Sequence, residues 1–460
     1  MFELSVKDIV NITSGKLLCG DENTIVRGIC TNSKEIEEGN LFVPIIGEKV
    51  DAHLFIESAL EIGAATLTSM HSGVVIADKP YIQVSDTIKA MQDIGAYIRS
   101  MYHKPVVAVT GSVGKTTTRD MIATALSQCA KVYKTKKNYN SQVGVPITLS
   151  YLEEDSDMSV FELGMSDFGQ MGILSDMVKP DICVITVIGV AHIEYLKTRE
   201  NILQEKLSIT KSMNKDGILF LNGDDDMLAS LKTETGDKVV YYGTKDWCDY
   251  RAENIRMEDN KYVYDYVHGN KRVKVVLNAL GTHNVVNSLA GMAIADYMNM
   301  DLDKVAAGFD DFSGMRQKVI DISGKYTIID DTYNASPDSM KASINVLAEM
   351  DCTGKRIAVL GDMFELGDNS EKYHYEVGTY LADKNIDELV VIGELSQNIL
   401  QGVKDAGSSI KCNTLKDNGE ASLFLLSVMT PGDVVLIKGS NGMKMDQIVS
   451  NILGKKDEMF

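Results

Sequence analysis

The stretch from Pro105 to Leu126, PVVAVTGSVGKTTTRDMIATAL, decides the reading of this sequence. Val106 to Val109 make a short apolar run behind a proline, as expected of a strand buried on both faces. Two glycines follow, and then a helical stretch that opens at Lys115 and Thr116. Gly111 and Gly114 allow the backbone of Gly111, Ser112, Val113 and Gly114 to approach an anion. The helix start offers free N–H groups and a positive dipole end, Lys115 adds a point charge, and the Thr116 hydroxyl, followed by Thr117, can reach a cation. The bland alternative is a glycine turn with an incidental lysine. The strict phosphate-loop pattern G-x-x-x-x-G-K-[ST] asks for glycine at position 109, where Val109 stands. Thr110 or Gly111 can still make the turn, so the departure changes the subclass of loop more than its use.

Working outward, the same alternation of apolar strand and helix recurs. VVAVT, SVFEL, ICVITVI and GILFLN suit a mostly parallel sheet, and an α/β sheet holds its ligands at the carboxyl ends of its strands. This central region spans 104–314, and its residues 238–277 turn to the period-2 alternation of antiparallel ribbons. Before it, 1–103 mixes short strands (LFVPI, GVVIAD, YIQVSD) with helices (HLFIESALEIGA, TIKAMQDIGAYIRSMYH) in a small α/β domain. After it, 315–460 carries a second βα series with a doubly wound look: YTIIDD, a helix from about Asp338, RIAVLGD, a helix near Tyr373, ELVVIG and DVVLIKG. Three α/β domains are expected of a chain of 460 residues, roughly three times the usual domain size.

The formal charge of −19 argues against a nucleic-acid or anionic-membrane partner, because such a surface needs a broad basic face. Any phosphate must meet a local basic spot. The seven cysteines are scattered and never form C-x-x-C, as expected of reduced thiols that mostly fill cores. The N-terminus carries acidic residues and no long apolar run, and no later segment reaches the ~18 uninterrupted apolar residues of a membrane span, so a cytoplasmic protein is expected.

Several other residues stand where chemistry is done. Glu162 closes SVFEL and His192 follows ICVITVIGVA, which places both at strand ends. A carboxylate and a neutral imidazole are plausible cation ligands, although either could simply be satisfied by neighbouring backbone. YKTKKNYNSQVGVP, with Asn138 and Asn140, is a basic, Asn-rich loop that could face an anionic substrate or only solvent. Asn284 and Asn287 lie near the first turn of a helix, where capping is the preferred reading and adenine recognition the other. Lys206, on the helix RENILQEKLSITKS, has the spacing of a solvated cation. Asp330, Asp331, Tyr333 and Asn334 close one strand of the last region. LGDMFELGD, with Asp362 and Glu365, and IKGSNGMKM are loops at two further strand ends.

In this order the segments TGSVGKTT, TKKNYNSQVGVPITL, ELGMSDFGQM, AHIEYLKTRENILQEK, GTHNVVNSLAG, DDTYNASPDSM, VLGDMFELGDNSEKYH and KGSNGMKM resemble the Mur ligase family over nearly the whole chain. The family loop T-G-[ST]-x-G-K-T-[ST] needs no glycine at 109. The resemblance implies ATP-driven amide synthesis on a UDP-linked muramoyl peptide. GDMFELGDNSEKYH and YNASP point to the member that acts last, joining D-alanyl-D-alanine to UDP-N-acetylmuramoyl-tripeptide. It further implies that Lys115 holds the β- and γ-phosphates, that Thr116, Glu162, His192 and a carbamylated Lys206 serve one or two Mg2+, and that Asn284 and Asn287 contact adenine. Asp331 would contact ribose and Arg316 the phosphates. Ser33, in TNSK, would sit by the UDP end, and Asn138, Asn140, Tyr333, Asn334, Asp362 and Glu365 by the peptide substrates of a monomeric enzyme. The family usually has Ser-Arg at Ser33-Lys34, Asn-Pro at Ser336-Pro337, and Arg at Asn441.

Overall fold

Strands that are apolar on both faces pair in parallel in this chain. The computed structural model describes residues 1–69, 78–233, 238–259, 261–314, 318–322 and 324–454. They form two compact units. The first comprises Met1–Thr110, Cys129–Ile185 and Glu205–Phe220. The second comprises Gly111–Gln128, Thr186–Gln204 and everything from Leu221 onward.

Within the first unit, strands Ile182–Ile185, Val106–Thr110, Met158–Glu162 and Val132–Lys134 lie side by side in that order, every pairing parallel. The first three are buried along their full length. The N-terminal part holds a five-stranded sheet ordered Lys16–Cys19, Tyr81–Gln83, Ala65–Thr68, Leu41–Phe42, Ile29–Cys30, in which only the first pairing is antiparallel. Helix Thr87–Met101 starts at Asp86, whose carboxylate accepts from the Ile88 and Lys89 amides at 2.8 and 3.0 Å. It lays Met91, Ile94 and Ile98 on the core of this sheet, with Leu41, Leu67 and Ile82. Its last turn carries Arg99, which donates to the carbonyls of Val178 and Lys179 at 2.6 and 2.8 Å. The cation thereby closes the carboxyl end of helix Gln170–Val178. HLFIESALEIGA forms only the turn Ala52–Phe55 and the short helix Ile56–Leu60. The expected strand GVVIAD falls almost wholly outside the described residues.

In the second unit, helix Lys115–Ser127 packs on helix Thr282–Tyr297. A Cβ on Gly291 would come within 3.1 Å of both the Ala125 side chain and the Met121 carbonyl. The expected ribbons are Tyr250–Glu258, Lys261–His268 and Lys271–Leu277, antiparallel with a bulge between Glu253 and Arg256. Val239–Gly243 pairs parallel with the first of them, Tyr242 opposite Tyr250. Beyond them a six-stranded sheet runs Lys318–Ile322, Tyr326–Asp331, Val434–Lys438, Arg356–Gly361, Glu388–Ile392, Lys411–Leu415. Only the first pairing is antiparallel. Its two faces bury Met340, Ile344 and Leu347 on one side and Ala421, Leu425 and Ile448 on the other. Helix Pro337–Glu349 opens with a capping box between Ser336 and Ser339 and Pro337 in its first turn. All seven cysteines are free thiols, and Cys30, Cys183 and Cys248 are buried.

Candidate active site

The phosphate loop is built as its residues dictate. Strand Val106–Thr110 runs straight into Gly111, and the helix begins at Lys115 behind Gly114, whose φ of 85° suits glycine. A Cβ on Gly111 would fall 1.9 Å from Thr186 Oγ1, so no larger residue fits there. Thr186 Oγ1 donates to the Val113 carbonyl at 2.6 Å, and the Ser112 amide donates to the Val187 carbonyl at 2.7 Å, which fixes the loop's curvature. Lys115 Nζ folds back onto the carbonyls of Gly111 and Ser112 at 2.6 and 3.3 Å. Ser112 Oγ is buried with no hydrogen-bond partner among the described residues. A loop closed around its own ammonium, with the orphaned Ser112 hydroxyl, a helix N-terminus and the buried Thr116 hydroxyl, suits a polyphosphate.

Asn287 is tied to this helix: Thr118 Oγ1 donates to Asn287 Oδ1 at 3.0 Å, and Asn287 Nδ2 donates to Asn284 Oδ1 at 3.0 Å. Asn284 Nδ2 donates to the Leu280 carbonyl at 2.7 Å. Neither amide caps the helix, since Gly281 occupies the cap without a side-chain bond. The capping reading is thus corrected.

Glu162 closes its strand in register with Val109, and Leu163 N donates to the Val109 carbonyl at 2.8 Å. It is 1% exposed, and Asn140 Nδ2 donates to its Oε1 at 2.7 Å. Asn140 and Glu162 are therefore one element. Asn138 is exposed one turn earlier, where its carbonyl accepts from the Asn140 amide at 2.8 Å. Ser33 lies half-buried in a turn that Asn32 holds through the Lys34 amide, at 3.1 Å. Lys206, expected as a solvated cation, is 1% exposed on helix Arg199–Leu207. The periodicity of that helix is too weak to have shown which face is covered.

His192 precedes the short helix Ile193–Leu196 with φ 63°. Its Nδ1 lies 2.6 Å from Glu365 Oε2, in a contact out of line for a straight hydrogen bond. The imidazole holds the Glu365 carboxyl below its ordinary range. Asp331 and Lys438 end adjacent parallel strands in register. Lys438 Nζ donates to Asp331 Oδ2 at 2.7 Å and to the Asn334 carbonyl at 2.9 Å, and Ser343 Oγ donates to the same carboxylate at 2.5 Å. Tyr333 is exposed, and its carbonyl accepts from Asn441 Nδ2 at 3.2 Å. Asp362 accepts from the Ser396 amide at 2.7 Å, and its carbonyl accepts from the Ser440 amide at 3.0 Å, binding two strand-end loops together. Arg316 lies outside the described residues. Lys438 was missed in the sequence, although a charge closing the apolar strand DVVLIKG is the same signal that marks Glu162.

Among the described residues no group of three or more His, Cys, Asp or Glu is placed to hold a metal ion. Mg2+ needs only one or two protein oxygens when phosphates and water supply the rest. The buried Thr116 hydroxyl at the helix start and, separately, the buried Glu162 carboxylate are each hard oxygen donors of the kind such a cation takes.

The architecture and the phosphate loop define an ATP-dependent ligase class. Residues 109–295 match the Mur ligase middle domain, and 315–441 match the family described as Mur ligase, glutamate ligase domain. The chain belongs to the Mur ligase family and has its three-domain α/β fold. It is 33% identical to the UDP-N-acetylmuramoyl-tripeptide--D-alanyl-D-alanine ligase of Bacillus subtilis, covering 98% of this chain and 99% of that one. It is 31% identical to the ligase of the same name from Haemophilus influenzae over 99% of each. Among solved structures, MurF from Acinetobacter baumannii superposes with a TM-score of 0.89 at 28% identity, over 99% of this chain and 100% of that one. MurF from Thermotoga maritima in complex with ADP superposes at 0.80 and 26% identity, over 94% and 98%.

Proposed function

We propose that this chain joins D-alanyl-D-alanine to UDP-N-acetylmuramoyl-tripeptide at the expense of ATP, in the synthesis of peptidoglycan precursors. The observation that carries the reading is the phosphate loop, whose Gly111 admits no side chain and whose Lys115 lies folded on the loop carbonyls, in a chain matched from end to end by ligases of that name.

The γ-phosphoryl group passes to the free carboxylate of the tripeptide, giving an acyl phosphate and ADP. The dipeptide amine then attacks the acyl carbon, and phosphate leaves. Lys115 releases the carbonyls of Gly111 and Ser112 to meet the β- and γ-phosphates, and the amides at the helix start receive their oxygens. Thr116, Glu162, His192 and a carbamylated Lys206 are the residues that would hold Mg2+, which when bound would supply neutralisation of the charge on the phosphoryl group. Asn284 and Asn287 read adenine, Asp331 the ribose, and Arg316 the phosphates. Residues 1–103, with Ser33, receive the UDP end, 104–314 the nucleotide, and 315–460, with Tyr333, Asn334 and Asp362, the dipeptide. Asn138 and Asn140 face the muramoyl peptide. Among the described residues no helix is long and apolar enough to cross a membrane, and the reading places a monomeric enzyme in the cytoplasm.

The test is incubation with ATP, Mg2+, UDP-N-acetylmuramoyl-tripeptide and competing amines, read by product mass and phosphate release. The expected product carries D-alanyl-D-alanine alone. Incorporation of glutamate or a single amino acid in its place overturns the substrate assignment, and equal phosphate release with ATP alone overturns the ligase. Carbamylation of Lys206 predicts a carbamate carbon resonance on equilibration with 13C-bicarbonate, absent in Lys206→Ala.

A further inference from the structure

The loop that follows strand Arg356–Gly361 is tied to a buried ring. His374, on helix Ser370–Ala382, is fully buried. Its Nε2 accepts from the Met363 amide at 2.8 Å, and its Nδ1 lies 2.7 Å from the Ser370 carbonyl. A backbone N–H can only donate and a carbonyl can only accept, so the two neighbours together fix the place of the ring's proton. Nδ1 carries it, and Nε2 is the acceptor.

Three further bonds gather the same loop. Asp362 Oδ1 accepts from the Ser396 amide at 2.7 Å, the Asp362 carbonyl accepts from the Ser440 amide at 3.0 Å, and the Phe364 amide donates to Ser440 Oγ at 2.9 Å. These bonds come from the loops after the neighbouring strands Glu388–Ile392 and Val434–Lys438, and they follow from strand order. The Met363 amide lies between them in sequence and has His374 as its acceptor. Met363 and Leu366 enter the core with Val377 and Leu381 of the helix that carries the ring, while Phe364 stays exposed and Glu365 half-buried. The loop thus has a fixed inner edge and two side chains outside it, at the carboxyl end of a parallel sheet, where ligands are met. Burial pushes the His374 imidazole below 6.5, against the pull of the Ser370 carbonyl and of Asp362, which among the described residues is the charged side chain that acts on it. The neutral ring that can accept at Nε2 is the form favoured by its surroundings.

We infer that His374 is a positioning residue for the amine substrate: as the Nδ1–H tautomer it holds the Met363 amide, and so keeps the loop Asp362–Leu366 in the shape that receives D-alanyl-D-alanine. The inference rests on the ligase reading and deepens it, since that reading gives the dipeptide to residues 315–460 and names nothing that shapes the loop. Without the ring, the buried Met363 amide has no acceptor, and the loop can satisfy it only by moving toward water.

The test reads the ring and the dipeptide separately. In protein labelled with 15N-histidine, long-range proton–nitrogen correlation, with His374 assigned by its loss in His374→Gln, shows the Nδ1–H tautomer at neutral pH. His374→Leu raises the KM for D-alanyl-D-alanine about 5- to 100-fold, the range to which an unsatisfied buried donor corresponds, and leaves the KM for ATP near that of the wild type. His374→Gln, whose side-chain carbonyl can accept from the Met363 amide, recovers most of the affinity for the dipeptide. As pH falls below 6.5, the wild-type Nε2 takes up a proton and sets N–H against N–H, so the KM for the dipeptide climbs. That climb is absent in His374→Gln, which does not titrate. A His374 in the Nε2–H form overturns the inference in the wild-type protein, whether or not any variant folds. So does a His374→Leu enzyme that loses ATP and dipeptide affinity alike, or a climb at low pH that His374→Gln shares in full. Failure of the ligase reading shows separately, as absent D-alanyl-D-alanine product with a normal tautomer.

Discussion

Both Lys115 and Lys438 stand at the carboxyl end of a parallel strand, and their surroundings differ in kind. Lys115 follows its strand after a turn of four residues, and the ammonium, half-buried, rests on carbonyls of that same turn. Lys438 is 2% exposed and is bound to Asp331, which belongs to a strand distant in sequence and adjacent in the sheet. The first ammonium has exchanged water for neutral acceptors that it can leave for phosphate. The second is committed to a carboxylate, and burial makes that commitment costly to break. A mobile charge can take part in phosphoryl transfer, whereas a committed one fixes the distance between two strand ends.

The largest expected effect breaks the comparison on the Lys115 side. Lys115→Ala should lower kcat by on the order of 10²–10³-fold, the cost of removing one preorganised donor to developing charge, or about 3–4 kcal/mol. Its thermal unfolding should stay near that of the wild type, because the half-buried ammonium's bonds to the Gly111 and Ser112 carbonyls join residues of one short turn. Phosphate release and calorimetry check the two halves. A variant that keeps more than about a tenth of the activity, by the same reckoning, puts the phosphates elsewhere.

The opposite pattern is expected of Asp331. Asp331→Ala leaves the Lys438 ammonium buried against the Asn334 carbonyl alone, and stripping one partner from a buried pair costs about 3 kcal/mol. Denaturant unfolding should show that loss. The double variant with Lys438→Met should recover most of it, because no charge is then left unpaired. If the double variant is as unstable as the single one, the pair holds no strands together and Lys438 resembles Lys115 after all.

The same contrast explains what the sequence made legible. The phosphate loop is a contiguous motif, and its shape follows from residues within one stretch. VVAVT, ICVITVI and RIAVLGD were readable as strands because a strand covered on both faces is apolar throughout. Strand Lys411–Leu415 was not, because KCNTL lies at the sheet's edge, where it is nowhere fully buried and carries Lys411, Asn413 and Thr414. The meetings of Asp331 with Lys438 and of His192 with Glu365 depend on strand order and loop docking, which no local spacing encodes. Lys206 shows the limit from the other side: nothing in RENILQEKL marks a buried lysine, and only the resemblance to a family gave it a role. Asn284 and Asn287 were placed correctly on their helix, but their partners come from helix Lys115–Ser127 and from Leu280, so capping was the wrong bond to expect.

The smallest expected effect tests how far the Asp331–Lys438 pair reaches. His283 sits under the turn at Gly281, within the field of both groups. Burial pushes its imidazole down to about 4 from 6.5, Asp331 opposes that shift, and Lys438 adds to it. A base depressed in the folded state binds fewer protons there than in the unfolded chain. Its contribution is therefore complete above about pH 6.5 and drains away as pH falls toward 4. The full slope is about 1.4 kcal/mol per pH unit, but part of the side chain reaches solvent, which trims the loss to about 1 kcal/mol at pH 5. Unfolding free energies at pH 7 and pH 5 should thus differ by about that much more in the wild type than in His283→Gln, which cannot titrate. Coupling sharpens the test, since in Lys438→Met the ammonium no longer opposes protonation and Asp331 alone faces the ring. The pH-dependent loss should then shrink, while the larger part that burial sets remains. A loss unchanged in Lys438→Met would mean that His283 responds to burial only, and that the committed charge at the strand end does not govern the helix start beside it.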